Sequence, residues 1–473
     1  MKNILSSTLA LSLLSVCISA ASDPLVLKTQ DKAPKNIIMV IGDGMGPSYT
    51  SAYRYYADDP ATDAIEQTVF DRHLVANSTT YPARVSGYIT DSAAAATALA
   101  TGFKTYNDAI SVDVNGKPLE TVLEKAKLLG KKTGVVVTSQ INHATPASYL
   151  SHNAYRRNYN EIADSYLDNG IKADVYLGGG WQYFIRDKRN LVSEFTAQGF
   201  HYVDQYQQLN DSPLDKPLIG LFGDQGLPWA LDDTDKHRLL TMTKAALPRL
   251  ENEQGYFMLI EASLIDWAGH ANDIAAAMYE MDDLAKTLEY LEKYVAKNPD
   301  TMVIVTADHS TGGLSIGRKT AKSDPNVNSK YLWQPEIIRQ MSISPEAFSK
   351  LYATTELSHQ DINNRLNFVL SDKEFNQLAT AKAQAIIALN QYEQTPEEQR
   401  TSKYAPQVNR AITESLKDII DIKTNTGWGG ISSSATHTAV DVPVFVISAE
   451  QSPFKGVIDN TDIAKTIFKL LEK

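Results

Sequence analysis

Cysteine is all but missing from this 473-residue chain, which holds only Cys17, so no disulfide can form within it. Cys17 lies inside an N-terminal apolar run at 4–20 that follows Lys2 and ends in the small residues Ser19, Ala20 and Ala21. That layout is a cleavable secretory signal, and the run falls short of the ~20 strongly apolar residues a permanent span requires. Val16 directly before Cys17 is too bulky for a lipid-attachment signal. Cleavage after Ala20 or Ala21 is expected, placing a cysteine-free mature protein in the periplasm or the medium. Its stability must then rest on core burial, bound ions or a partner subunit.

Beyond that run no apolar stretch is long enough to cross a bilayer, so no membrane anchor is expected. Positive charge is in deficit: 45 basic residues face 56 acidic ones, a net charge of −11 that becomes one unit more negative once Lys2 is removed. Such a balance argues against nucleic-acid binding. It also means that an anionic substrate would have to be drawn in by local cations, a first hint of bound metal. Internal repeats and low-complexity tracts are absent. The length predicts two or three domains, or one large core carrying an insertion.

Short runs rich in Val, Ile and Met recur at 36–41, 133–138, 173–177, 256–260, 302–306 and 442–447. Continuous apolar runs of this kind suit the buried strands of a parallel sheet, and helical patterns at 118–129 and 274–294 alternate with them. The fold class is therefore α/β, with helices on both faces of the sheet. From 314 to 434 strand signals fade and amphipathic helical segments such as 335–352 and 372–392 take over, before a strand at 442–447 and a helix at 463–471 return to the core. The division is thus a signal peptide at 1–21, a core at 22–313 and 435–473, and a mostly helical insertion at 314–434.

In open α/β sheets ligands bind beyond the carboxyl ends of the strands. Three of the runs end in chemistry: 36–41 leads to Gly42-Asp43-Gly44-Met45-Gly46, 256–260 to Glu261, and 302–306 to Ala307-Asp308-His309. One Asp after a strand is ordinarily a turn or a helix cap, but three strands delivering such groups to one edge make a site. Downstream of Glu261, Asp266 and His270 stand at i, i+4 spacing, which on a helical turn puts them on one face as paired ligands for zinc. Alone they would read as a surface ion pair. Their proximity in the pattern to Asp308 and His309 favours the metal.

Asp91-Ser92 opens an alanine-rich stretch that closes at Gly102, at the least a well-capped helix. In the functional reading the Ser92 hydroxyl stands at the positive end of that helix, among side chains small enough to admit a phosphate. His143-Ala144-Thr145-Pro146 follows the 133–138 run, and Arg156-Arg157 follow in turn. A guanidinium can grip two phosphate oxygens in a fork that lysine cannot form. His437, a lone loop histidine, precedes the last strand.

Taken in order, Asp43-Gly44-Met45-Gly46, Asp91-Ser92-Ala93, His143-Ala144-Thr145-Pro146, Arg156, Glu261 through Asp266 to His270, Thr306-Ala307-Asp308-His309 and His437 resemble the alkaline phosphatase family across essentially the whole mature chain. The resemblance implies a three-layer sandwich, with a large, mostly parallel sheet between helices plus the helical insertion. It implies hydrolysis of phosphate monoesters through a phosphoserine at Ser92, with two Zn2+ and one Mg2+ per subunit. Asp266, His270 and His437 would hold the first zinc. Asp43, Asp308 and His309 would hold the second, which also touches Ser92; Asp43, Thr145 and Glu261 would hold the magnesium. Arg156 would grip the phosphate and Arg157 face solvent, while His143 and Trp267 would line the substrate side, His143 acting through waters of the third metal.

The chain departs from the enteric pattern by having His143 in place of Asp and Trp267 in place of Lys, which leaves the third metal's identity open. The long stretch between His309 and His437 resembles the marine, cold-active branch. It implies a homodimer clasped by the insertion and a cold-adapted enzyme. Within the same superfamily phosphodiesterases are the alternative. Sulfatases need a modified nucleophile motif that Asp91-Ser92-Ala93 lacks, and the mutases are cytosolic. A catalytically dead phosphate or metal binder would have lost a ligand or Ser92, and all are present.

Overall fold

The computed structural model describes residues 33–317, 332–400, 402–429 and 436–473. The expected signal peptide, and Cys17 with it, lies outside these residues, as do parts of the insertion. All six apolar runs form strands. Asn36–Gly42, Lys132–Gln140, Tyr256–Ala262, Thr301–Thr306 and Val442–Ile447 overlay the expected ranges closely, while the 173–177 run is shifted to Val175–Gly179.

Ten strands share one sheet. From one edge they are Gly456–Asp459, Leu74–Thr79, Val442–Ile447, Thr301–Thr306, Asn36–Gly42, Tyr256–Ala262, Lys132–Gln140, Val175–Gly179, Leu218–Leu221 and His201–Val203. Every neighbouring pair is parallel except the two made by Val442–Ile447, which runs against both its neighbours. The sheet is therefore mixed but mostly parallel.

Alternation along the strands explains why the sheet is covered on both faces. Ile38 and Val40 enter one apolar cluster, while Ile37, Met39 and Ile41 enter another on the opposite side. A strand buried on both faces must be apolar at every position, which is why these runs read as continuous. The helix Ile274–Lys297, capped by Asp273 at the Ala276 N–H, covers the first face together with Arg238–Leu250. Asn460–Leu471 and Val122–Leu128 cover the second.

Two helical expectations change. The 118–129 helix begins only at Val122, because the Thr121 hydroxyl accepts from the Glu124 N–H and the Glu124 side chain reaches back, a reciprocal cap that fixes the start. The 335–352 segment breaks into Glu336–Gln340 and Pro345–Thr354. Pro345 has no N–H to continue a helix but suits the first position of a new one, which Ser344 caps.

The described part of 314–434 is largely helical, with Asp372–Gln394 and Val408–Thr424 its longest members. Ile338, Phe348, Ile362, Leu366, Leu416 and Ile420 are buried in the same cluster as the core strands, so this region shares the main hydrophobic interior. Its base is closed by the pairing of Ser315–Ile316 with Thr426–Gly427, just beyond the pairing of Ser310–Thr311 with His437–Thr438.

Candidate active site

The strand ends, helix starts and loops named from the sequence converge at the carboxyl edge of the sheet. Asp43 follows the strand Asn36–Gly42, Glu261 lies in register with Ile41 on the neighbouring strand, and Asp308-His309 follow the strand on the other side. All four are fully buried. Gly44 makes the turn after Asp43 with φ of +71°, and its N–H donates to Asp308 Oδ1 at 3.1 Å. A Cβ at Gly44 would come within 2.8 Å of Asp266 Cα, so glycine is required by both the backbone and the packing.

Asp266 and His270 lie on the short helix Leu264–His270, His270 Nε2 being 3.5 Å from Asp266 Oδ2 as the i, i+4 spacing requires. His437 Nε2 lies 3.1 Å from His270 Nε2 and 3.7 Å from Asp266 Oδ1. The Nδ1 of His437 donates to the Thr90 carbonyl at 2.8 Å, leaving its Nε2 a bare lone pair. The His437 ring also stacks on His309 at 3.6 Å between centroids. Asp266, His309 and His437 form one set of ligand atoms within 4.8 Å of one another, and Asp43, Asp308 and His309 form a second. His309 thus stands between the two sets, closer to Asp266 and His437 than its expected place with Asp43 and Asp308 alone would suggest.

Asp43 joins a third set with Glu261 and His143. Thr145 is also fully buried, and its hydroxyl, both oxygens of Asp43 and both of Glu261 lack a hydrogen-bond partner among the described residues. Burial and then the neighbouring Asp308 push the Asp43 carboxyl well above its usual range, and burial pushes Glu261 up to about 8. Burial works the same way on Asp308, but His309 and the Gly44 N–H outweigh it and hold Asp308 at about 2. Orphaned buried carboxylates are costly unless a cation satisfies them. The donor set of carboxylates and imidazoles, with one Asp shared between two sets, fits adjacent divalent ions.

Ser92 is the first residue of the helix Ser92–Thr101, where Asp91 caps the Ala94 N–H at 2.9 Å. Its hydroxyl is buried and lies 3.1 Å from His309 Nε2. Four alanines, Ala93 to Ala96, follow Ser92, so its end of the helix carries only small side chains. Asp91 has a second part that its role as a cap concealed. Its Oδ2 accepts from Arg156 Nη1 at 2.8 Å and from the Asp108 N–H at 3.0 Å.

Arg156 Nη2 lies 3.3 Å from His143 Nε2, whereas Arg157 is exposed. Burial, reinforced by the Arg156 charge, lowers the His143 pKa to about 3, so the ring is neutral at working pH. Trp267 meets the His143 ring edge-on at 5.8 Å between centroids. Every site residue expected from the sequence is therefore in this one cluster.

Thr311 was not legible beforehand. Its hydroxyl donates to Asp266 Oδ1 at 2.5 Å and sits 3.2 Å from His309 Nδ1, orienting a residue of each of the first two sets. The only sequence signal was its place two residues beyond His309.

A family model for alkaline phosphatase matches residues 34–473. The chain is 41% identical to alkaline phosphatase 3 of Bacillus subtilis (strain 168), over 99% of this chain and 96% of the other. It is 40% identical to alkaline phosphatase 4 of the same organism, over 94% and 90% of the two chains. Among solved structures it is similar to the cold-active alkaline phosphatase of a psychrophilic Shewanella sp., with a TM-score of 0.81, 45% identity, and coverage of 93% of this chain and 100% of the other.

Proposed function

The chain belongs to the alkaline phosphatase family, and on that premise we propose that it hydrolyses phosphate monoesters through a phosphorylated Ser92. The observation that carries this reading is the buried Ser92 hydroxyl at a helix start, 3.1 Å from an imidazole shared by two sets of ligand atoms, one of which holds the orphaned oxygens of Asp43 and Asp308.

In this reading two Zn2+ and one Mg2+ are held per subunit. Asp266, His270 and His437 take one zinc, Asp43, Asp308 and His309 the other, and Asp43, Thr145 and Glu261 the magnesium. The membership of Asp43 in two sets and of His309 in two supports closely spaced ions. Bound there, they would lower the pKa of the serine hydroxyl and offset the negative charge of the phosphoryl group.

The chain's own groups account for the rest. The Ser92 oxygen is held at the positive end of its helix, where developing charge on the phosphoryl oxygens is favoured. Asp91 fixes Arg156 so that its remaining N–H groups face the substrate and grip two phosphoryl oxygens. As Ser92 Oγ gives up its proton to solvent and attacks in line, the Oγ–P bond forms, the bond to the leaving group breaks, and the departing alkoxide takes up a proton from water. Water then breaks the Oγ–P bond, which restores the hydroxyl and releases inorganic phosphate. The neutral His143 accepts from Arg156 at Nε2, which leaves its proton on Nδ1, a buried atom with no partner among the described residues. His143 and Trp267 form the wall on that side.

We place the mature enzyme in the periplasm or the medium, after removal of residues 1–21. The region 314–434 acts as a module that clasps a homodimer, and the likeness to a cold-active relative supports cold adaptation. The deciding experiment is hydrolysis of p-nitrophenyl phosphate against its bis-ester at pH 9, with and without chelator and with zinc and magnesium restored. Fast, chelator-sensitive monoester cleavage is expected. Preference for the diester would keep the metal cluster and overturn the substrate.

A further inference from the structure

The helix that carries Asp266 and His270 is only seven residues long and is held at its end by the insertion. It stops at Ala271 because Asn272 adopts a left-handed backbone with φ of +50°, which turns the chain so that the Asn272 and Asp273 N–H groups donate back to Gly269 and Ala268 at 3.1 and 2.9 Å. The Ala271 carbonyl is taken up by the ammonium of Lys417, from the insertion's helix Val408–Thr424. Lys417 is buried, and its second contact is Glu414 at 3.0 Å on its own helix. A cation on the last carbonyl of a helix is favourable, and a buried one is fixed in place.

One turn further along the same insertion helix, Asp421 Oδ2 accepts from Trp428 Nε1 at 3.0 Å. The Trp428 ring lies so close over Gly312 that a Cβ there would come within 2.8 Å of its Cε3. Gly312 follows Thr311, and its backbone is bound on both sides, accepting from the Gly429 N–H at 2.9 Å and donating to the Thr436 carbonyl at 3.1 Å. Thr311 in turn pairs with His437 in the short ladder. The insertion therefore reaches the Asp266–His270 helix through Lys417, and the Thr311–His437 ladder through Asp421 and Trp428.

We propose that Lys417 and the Asp421–Trp428 pair are positioning residues that hold His270 and His437 in register, so that the insertion governs retention of the zinc bound by Asp266, His270 and His437. This rests on the metal assignment proposed above. It gives the insertion a task within its own subunit, separate from any contact between subunits.

The test is the rate at which the purified full-length enzyme releases zinc to a chromogenic chelator at a temperature well below melting, with zinc content measured by atomic emission. Lys417→Met should release zinc ~10-fold faster than the wild type, while Lys417→Arg, which keeps a cation on the carbonyl, should stay within about twofold. Trp428→Phe, which loses the donor to Asp421 and the benzo edge of the indole over Gly312 but keeps an aromatic ring at the position, should fall between them. If Lys417→Met lowers the melting temperature of the metal-free protein yet releases zinc at the wild-type rate, the residue is merely structural and the proposal fails. Should Lys417→Met not fold, wild-type release from Trp428→Phe would overturn it equally. A wild-type enzyme that purifies without zinc would bring down the metal assignment, and this inference with it.

Discussion

The Ser92 hydroxyl and His309 Nε2 stand 3.1 Å apart although 217 positions separate them in sequence. Ser92→Ala should therefore remove the proposed nucleophile while leaving the carboxylate and imidazole ligands in place, lowering turnover of p-nitrophenyl phosphate by roughly a thousandfold or more. Zinc and magnesium content by atomic emission should remain near the wild-type value. Wild-type turnover at full metal content would eliminate Ser92 as the nucleophile.

Much of this pairing was legible in sequence because the strands are buried on both faces. Continuous apolar runs that stop abruptly at Asp43, Glu261 and Asp308-His309 mark a sheet edge, and the four-residue interval from Asp266 to His270 marks a helical face. The outer strands gave no such signal. Leu74–Thr79 is half polar and partly exposed, and His201–Val203, Leu218–Leu221 and Gly456–Asp459 are only three or four residues long. Contacts that bridge distant segments were equally silent. Asp91 reads as a helix cap, and nothing in its neighbourhood predicts that its second oxygen holds Arg156.

That contact sets the expectation for Arg156. Its Nη1 is spent on Asp91 at 2.8 Å, so only a forked guanidinium can hold Asp91 and still present donors to a phosphoryl group. Arg156→Ala should raise the inhibition constant of inorganic phosphate by roughly 10- to 100-fold, as expected for one or two charge-assisted hydrogen bonds. Arg156→Lys should recover only part of this. An unchanged phosphate affinity in Arg156→Ala would remove it from the substrate site.

Metal removal should steepen the fall of the protein's stability with rising pH. Burial raises the Glu261 carboxyl from 4.5 to about 8 without metal. A raised carboxyl means that the folded protein binds more protons than the unfolded chain between those values, so stability falls as pH rises through that window. The chelated enzyme should thus melt progressively lower from pH 5 to pH 8, and zinc plus magnesium should flatten the trend, because cations favour the ionised carboxylates. Glu261→Gln should weaken the slope in the chelated form. Calorimetry showing equal slopes with and without metal would contradict the charge argument.

The proposed dimerisation through the insertion is best tested at its surface. Excising 314–434 would strip Ile338, Phe348, Ile412 and Leu416 out of the main apolar cluster, so loss of the dimer could follow from loss of the fold. The described surface of the insertion offers a milder target. Ile386 and Ile387 project from the helix Asp372–Gln394 with 37% and 56% of their surface exposed, and Val369 and Tyr404 are more exposed still. Exposed apolar side chains grouped on one module are what a two-fold contact would bury, each copy supplying the same patch. Ile387→Asp places a charge there and touches neither the core nor any ligand. It should give monomers in sedimentation velocity, with melting temperature and zinc content unchanged; a dimer that persists would move the interface elsewhere on the molecule.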